Sequence, residues 1–221
     1  MIEAGQARIP TPMRIVYLHG FASSPQSSKA RYFAGRFGEM GVPFCAPQLD
    51  EGNFESLTIS GQLRVIQDAV AGEPVVMMGS SLGGYLAALY AVRHPAEVQK
   101  LVLLAPAFQF PRRWRERFSP RDWERWKREG SLPFFHYGSK MEVPLGYQFV
   151  EDGEQYEDQP AFTQPALILH GSADPVVPVG VSRQFVLAHP NARLVEFPSG
   201  HELTDVLDGL WEQTGAFLGF V

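Results

Sequence analysis

Short apolar runs punctuate the chain, and between them apolar residues return at helical rather than alternating spacing. Residues 14–18, 42–46, 74–78, 100–105, 166–170 and 193–197 are runs rich in Val, Ile, Leu and Phe, bounded by Gly, Pro or polar residues. A continuous apolar run without polar alternation is the pattern of a strand buried on both faces, as in a parallel sheet. Helices are expected over 29–40 with Ser27 or Ser28 as the cap, over 56–71, from Tyr85 to a stop near His94-Pro95, over 179–187 and over 202–217. In the second of these, Leu57, Leu63, Ile66 and Val70 recur at roughly helical intervals. Strands alternating with helices require a sheet covered on both sides. The pattern therefore predicts an α/β fold, a three-layer α/β/α sandwich of about six mainly parallel strands.

The alternation breaks between 106 and 164, a stretch crowded with Trp, Phe, Tyr and Arg. It reads as a cap or lid inserted into a single domain spanning 1–221. Within it Trp114, Phe118, Asp122 and Trp126 share one face at i, i+4 spacing, with Trp123 beside them. These aromatics either bury the cap against the core or line a substrate pocket. Arg112, Arg113, Arg115 and Arg117 read as a solvated face, or as an attraction for an anionic leaving group.

Composition narrows the class. With 221 residues, 45% of them hydrophobic and 19% charged, the chain suits one domain with a sizeable core. A net charge of -5 argues against nucleic acid as a partner. The lone Cys45 excludes an internal disulfide and, set in an apolar run, reads as a small buried hydrophobe of a reducing compartment. Residues Met1 to Arg8 lack the apolar core of an export signal, and no apolar run is long enough to span a bilayer. A cytoplasmic protein without membrane insertion is expected. No feature specifies an oligomeric state. No metal cluster or dinucleotide signature is present in the sequence, so neither metal nor cofactor is expected.

The candidate chemistry begins at Gly79-Ser80-Ser81-Leu82-Gly83, a G-x-S-x-G pattern between the strand at 74–78 and the helix that follows. Such a nucleophile elbow places its serine on a sharp strand-to-helix turn, with glycines leaving room on either side. The frame selects Ser81, because Ser80 would need glycines where Met78 and Leu82 stand. A serine hydroxyl needs a base within reach. His201, in the loop after the last strand, fits that part. His94 and His189 precede prolines at helix ends, His136 lies in the insertion, and His19 and His170 end strands as structural histidines. An imidazole base needs a carboxylate to fix its tautomer. Asp174 follows the penultimate strand, whereas Asp205 and Asp208 look exposed on the closing helix. The order Ser81, Asp174, His201 is that of α/β-hydrolases. Two backbone donors complete the site: the N–H of Leu82 opening the helix, and that of Phe21 in the His19-Gly20-Phe21 loop after the first strand.

Leu18-His19-Gly20-Phe21-x-Ser23-Ser24-Pro25-x-Ser27-x-Lys29-Ala30, together with Gly79–Tyr85, resembles the small bacterial esterases of the YqiA type. That resemblance implies a compact α/β-hydrolase fold lacking the N-terminal antiparallel strands, esterase activity on short acyl esters, and no cofactor. The 106–164 insertion departs from the compact family. The expected function is a serine hydrolase that cleaves carboxylic esters through an acyl-enzyme, with Ser81, Asp174 and His201 catalytic and Phe21, Trp114, Phe118, Trp123 and Trp126 binding a small-molecule substrate. A thioesterase acting on acyl-CoA or acylated protein uses the same machinery. A binding module of the same fold that no longer catalyses is the alternative from outside enzymology.

Overall fold

Six of the apolar runs pair into one parallel sheet. A computed structural model describes residues 13–220 of the chain. The reading of Met1 to Arg8 lies outside them. In chain order the sheet strands are β1 (Ile15–Leu18), β2 (Phe44–Cys45), β3 (Val75–Ser80), β4 (Val98–Leu104), β7 (Ala166–Gly171) and β8 (Ala192–Phe197). They lie in the order β2-β1-β3-β4-β7-β8, every pairing parallel. The strand alternation divides the core. Val16 and Leu18 of β1 point into one layer and Ile15 and Tyr17 into the other, all four fully buried.

One layer is covered by α1 (Ser28–Glu39) and α8 (Leu207–Leu218), through Phe33, Phe37, Leu210 and Trp211. The other is covered by α2 (Ile59–Val70), α3 (Leu82–Arg93) and α7 (Gly180–Ala188). Ser27 and Thr58 cap α1 and α2, each accepting a backbone N–H three residues on. Helix α3 runs through the centre of its layer, and its residues Leu82–Ala91 are all buried. Its small residues let it lie close to the sheet.

Several boundaries differ from the sequence pattern. Only two residues of the 42–46 run pair with β1, since Pro43 and Pro47 flank them and lack a ladder donor. Phe54–Ser56 forms a separate 3₁₀ turn ahead of α2. The last helix begins at Leu207, not 202, because Glu202 to Val206 are drawn into turns that shape the His201 loop.

The insertion is α4 (Phe110–Glu116), α5 (Pro120–Glu129), an antiparallel hairpin of β5 (Ser131–His136) and β6 (Met141–Gly146), and α6 (Gln148–Gly153). The single aromatic helix face expected from 114 to 126 is thus divided. Ser119 caps a new helix by accepting the Asp122 N–H, and Pro120 follows it. The rings meet nonetheless, with Phe118 at 6.0 Å from Trp114 and 5.4 Å from Trp126 between centroids.

The elbow is the tightest joint of the fold. A β-carbon on Gly79 would lie 2.2 Å from the Gly83 carbonyl oxygen, and one on Gly83 would lie 2.1 Å from that of Leu18. Both contacts are with backbone, which cannot move aside. Gly83→Ala is therefore expected to separate α3 from β1 and to yield protein that is insoluble or melts far below wild type, measured by soluble yield and thermal unfolding. Wild-type melting would show that the joint is looser than these distances require.

Candidate active site

Ser81 follows β3 with φ 54° and ψ −117°, a left-handed conformation that costs a residue with a β-carbon. The surrounding backbone holds it there. Its N–H donates to the Leu104 carbonyl (2.9 Å), and its carbonyl accepts from Gly84, Tyr85 and Ala107 at 3.0–3.1 Å. The side chain stays partly exposed at the C-terminal edge of the sheet, where ligands of open α/β sheets bind. Ser80 is the last residue of β3 and is 5% exposed.

Across the edge, His201 Nε2 stands 3.0 Å from Ser81 Oγ, and His201 Nδ1 stands 2.7 Å from Asp174 Oδ2. The structure thus brings together three residues separated by up to 120 positions. Asp174 Oδ1 accepts from the N–H groups of Val176 (2.8 Å) and Val177 (2.9 Å), so the carboxylate cannot rotate freely. His170 Nε2 lies 3.2 Å from Oδ2 while donating to the Val177 carbonyl at 2.8 Å, and its Nδ1 faces Ser182 Oγ. Burial pushes the Asp174 carboxyl up. The hydrogen bonds from His170, His201 and the Val177 N–H, with the charge of His201, outweigh that and hold it well below the usual carboxylate range. An ionised Asp174 accepts from Nδ1–H of His201, which leaves Nε2 as the acceptor for the Ser81 hydroxyl.

The other histidines are occupied elsewhere. His19 is buried, with Nδ1 against the Gly20 carbonyl (3.0 Å) and Nε2 accepting from the Leu49 N–H (3.3 Å). His94 and His189 end α3 and α7 and stack on Tyr90 and Phe185. His136, expected in irregular chain, closes β5 with Nε2 3.4 Å from Asp50. Asp205 accepts from Ser199 Oγ and Asp208 from the Tyr32 hydroxyl.

The loop after β1 lies against the elbow, since a β-carbon on Gly20 would come within 3.5 Å of Ser81 Cβ. Leu82, as the first residue of α3, has no intrahelical acceptor for its N–H. The Phe21 ring turns into the insertion, meeting Trp114 (4.8 Å), Phe134 and Phe149 (both 5.7 Å), and also meets Phe54 of the turn before α2 (5.4 Å). The Tyr137 N–H of the hairpin turn donates to the Ala22 carbonyl at 2.7 Å.

Two small clefts lie in this region. One, at the loop, is lined by residues that include Gly20, Phe21, Leu49, Phe54, Leu57 and His136. The other is lined by Phe110, Trp114, Phe149, Val150 and Gly153. Of the aromatics singled out from the sequence, Phe21 and Trp114 each line one cleft, while Phe118, Trp123 and Trp126 line neither. Trp126 is wholly buried, and its indole N–H donates to the Leu145 carbonyl (2.9 Å). Phe54 and Leu57 were not legible as lining residues, because nothing local to the loop after β2 points it at the edge of β1. Of the four arginines, Arg112 meets Asp158 (3.6 Å), while Arg115 and Arg117 lie over the rings of Trp123 and Trp114. Among the described residues, no group of three His, Cys, Asp or Glu side chains is placed to hold a metal ion, and no helix is long and apolar enough to cross a membrane.

The sheet order, the elbow after β3 and the loops after β7 and β8 define an α/β-hydrolase fold. Solved structures share it. Est1E from Butyrivibrio proteoclasticus with ferulic acid bound is 22% identical with a TM-score of 0.81, over 94% of this chain and 88% of that one. Mouse alpha/beta hydrolase domain-containing protein 10 is 21% identical with a TM-score of 0.77, over 96% and 91%. A structure from the metagenome-derived lipolytic enzymes LipS and LipT is 20% identical with a TM-score of 0.73, over 96% and 95%. No curated protein matches the sequence. The chain belongs to the uncharacterised protein family UPF0227, whose profile matches residues 14–218.

Proposed function

We propose that the protein is a serine hydrolase of carboxylic esters. The observation that carries this reading is the continuous relay from Ser81 Oγ through His201 to Asp174, at 3.0 and 2.7 Å. Ser81 attacks the ester carbonyl as His201 Nε2 takes its proton, and Asp174 stabilises the imidazolium that forms. The N–H groups of Leu82 and Phe21 hold the oxyanion. Collapse expels the alcohol, protonated by His201, and leaves an acyl-Ser81 that water cleaves by the same steps in reverse roles. The solved relatives that bind ferulic acid or are lipolytic support ester chemistry on this fold.

Residues 106–164 act as a cap over the β1 and β3 loops, a role supported by the Phe21–Trp114 contact and the Tyr137–Ala22 bond. The acyl group enters the cleft between the Gly20-Phe21 loop, Leu49, Phe54 and Leu57. The cleft is small, which favours a short acyl chain. Phe21 contacts the acyl group and Trp114 backs its ring at 4.8 Å, while Phe118, Trp123 and Trp126 hold the cap together.

A panel of esters and thioesters of graded acyl length, with active-site labelling by a fluorophosphonate, tests this function. Turnover is expected on acyl groups of about two to four carbons, each buried methylene contributing about 0.8 kcal/mol until the cleft fills. Phe54→Ala should move the optimum to longer chains without loss on the shortest ester. Trp126→Ala should keep the wild-type length profile and lose about 3–5 kcal/mol of stability. A Trp126→Ala protein that melts normally but prefers a different length would return that ring to the substrate site. A protein that neither labels nor turns over any ester would be a binding module instead.

A further inference from the structure

Lys29 stands where a lysine is expensive. It is 7% exposed, on a side-chain type rarely buried unless paired. It also lies in the first turn of α1, where the helix dipole disfavours a cation. Its ammonium donates to the main-chain carbonyl of Glu202 at 2.5 Å. The Glu202 carboxylate is 3.8 Å away and 78% exposed, so that ion pair is screened by water and adds little. The charge-assisted bond to the carbonyl is the substantial contact, and it spans 173 positions of sequence.

That carbonyl belongs to the residue directly after His201. The segment around it is otherwise held by Ser199 Oγ on Asp205 and by the buried Leu203, which is forced to φ 55°. Ser27, two residues before Lys29, caps α1 and so fixes the turn from which the lysine reaches across. Burial lowers the Lys29 ammonium from its ordinary range, and the charges of Glu202 and Asp174 oppose that fall. The ionisable groups gathered round this locus are Asp174 and His170 behind the imidazole, Glu202 and Asp205 on its own loop, and the buried phenol of Tyr17 on β1.

We propose that Lys29 is a positioning residue for the base: anchored on the Glu202 carbonyl, its ammonium holds the His201 loop in register with Ser81. The inference rests on the reading of Ser81, His201 and Asp174 as the hydrolytic relay. A misplacement of about 1 Å at a catalytic group can cost about a hundredfold in rate.

The test is the rate at which a fluorophosphonate modifies Ser81, followed as a function of reagent concentration, in wild type and in Lys29→Met, Lys29→Gln and Lys29→Arg, with circular dichroism and melting on each. Lys29→Met is expected to react about tenfold to a hundredfold more slowly at saturating reagent. Lys29→Arg keeps a charge-assisted donor for the Glu202 carbonyl and should recover most of the rate, whereas Lys29→Gln, neutral and shorter, should stay slow. A folded Lys29→Met protein with the wild-type rate overturns the inference. If Lys29→Met does not fold, the Gln and Arg variants decide, and identical rates in both overturn it. Wild-type protein that takes no adduct at Ser81 overturns the relay and this inference together, whereas labelling that is indifferent to Lys29 overturns this inference alone.

Discussion

Ser81→Ala is expected to abolish fluorophosphonate labelling and to lower ester turnover by at least about 10⁴-fold, while leaving the melting temperature nearly unchanged. The large kinetic effect follows from the proposed role of Ser81 Oγ as nucleophile, the group that His201 Nε2 faces at 3.0 Å. The small stability effect follows because the strained φ of 54° is imposed by bonds to Leu104, Gly84, Tyr85 and Ala107 that use only main-chain atoms. Alanine keeps those bonds. The control is Ser80→Ala. Ser80 is the final residue of β3, in a strand buried on both faces, so its loss should leave labelling intact. Peptide mapping that puts the adduct on Ser80, or turnover in Ser81→Ala within tenfold of wild type, would defeat the assignment.

Asp174→Asn should cost about 10⁴-fold in kcat, the magnitude seen when the equivalent change is made in a serine protease triad. The asparagine oxygen can still accept from Val176 and Val177, which fixes its orientation. Its amide then points an N–H at His201 Nδ1, where the carboxylate oxygen had stood at 2.7 Å. Nδ1 must become the acceptor, so Nε2 carries the proton and cannot take one from Ser81. His170, whose Nε2 lies 3.2 Å from the same oxygen, would also face a donor in place of an acceptor. The carboxyl is held below its ordinary range in the folded protein, so its stabilising contribution is complete above the unfolded value near about 3.9 and is lost as pH falls through the folded one. The gap in melting temperature between wild type and Asp174→Asn should therefore be widest near neutral pH and narrow below about pH 4. A kcat loss under tenfold would move the orienting role to another carboxylate, Asp205 first.

Much of this protein was legible before its chain was folded. The inner strands β1, β3, β4 and β7 are continuous apolar runs, and burial on both faces leaves such runs no polar alternation to confuse the reading. The elbow is equally local. Backbone contacts of 2.1 and 2.2 Å allow no side chain at Gly83 or Gly79, so steric necessity is written into five consecutive residues. The loops after β7 and β8 were readable as partners of Ser81 because parallel strands deliver their carboxyl ends to one edge.

The existence of the insertion was legible as a break in the alternation, but its internal elements were not, for reasons its residues make plain. Pro133 and Pro144 face each other across the β5–β6 hairpin, where proline is tolerated only because the sheet has two strands and both are edges. From the sequence those prolines argue against strands. The spacing of Trp114, Phe118 and Trp126 suggested one helix face, yet Ser119 and Pro120 start a second helix there, and ring packing across the break restores the contact. The bond from Lys29 to the Glu202 carbonyl, like the approach of Phe54 to Phe21, joins segments with no local pattern in common. Periodicity and turn chemistry act over a few residues and can be read from them. Contacts between distant loops depend on how the strands are ordered and how each helix covers them, and only the folded chain decides that.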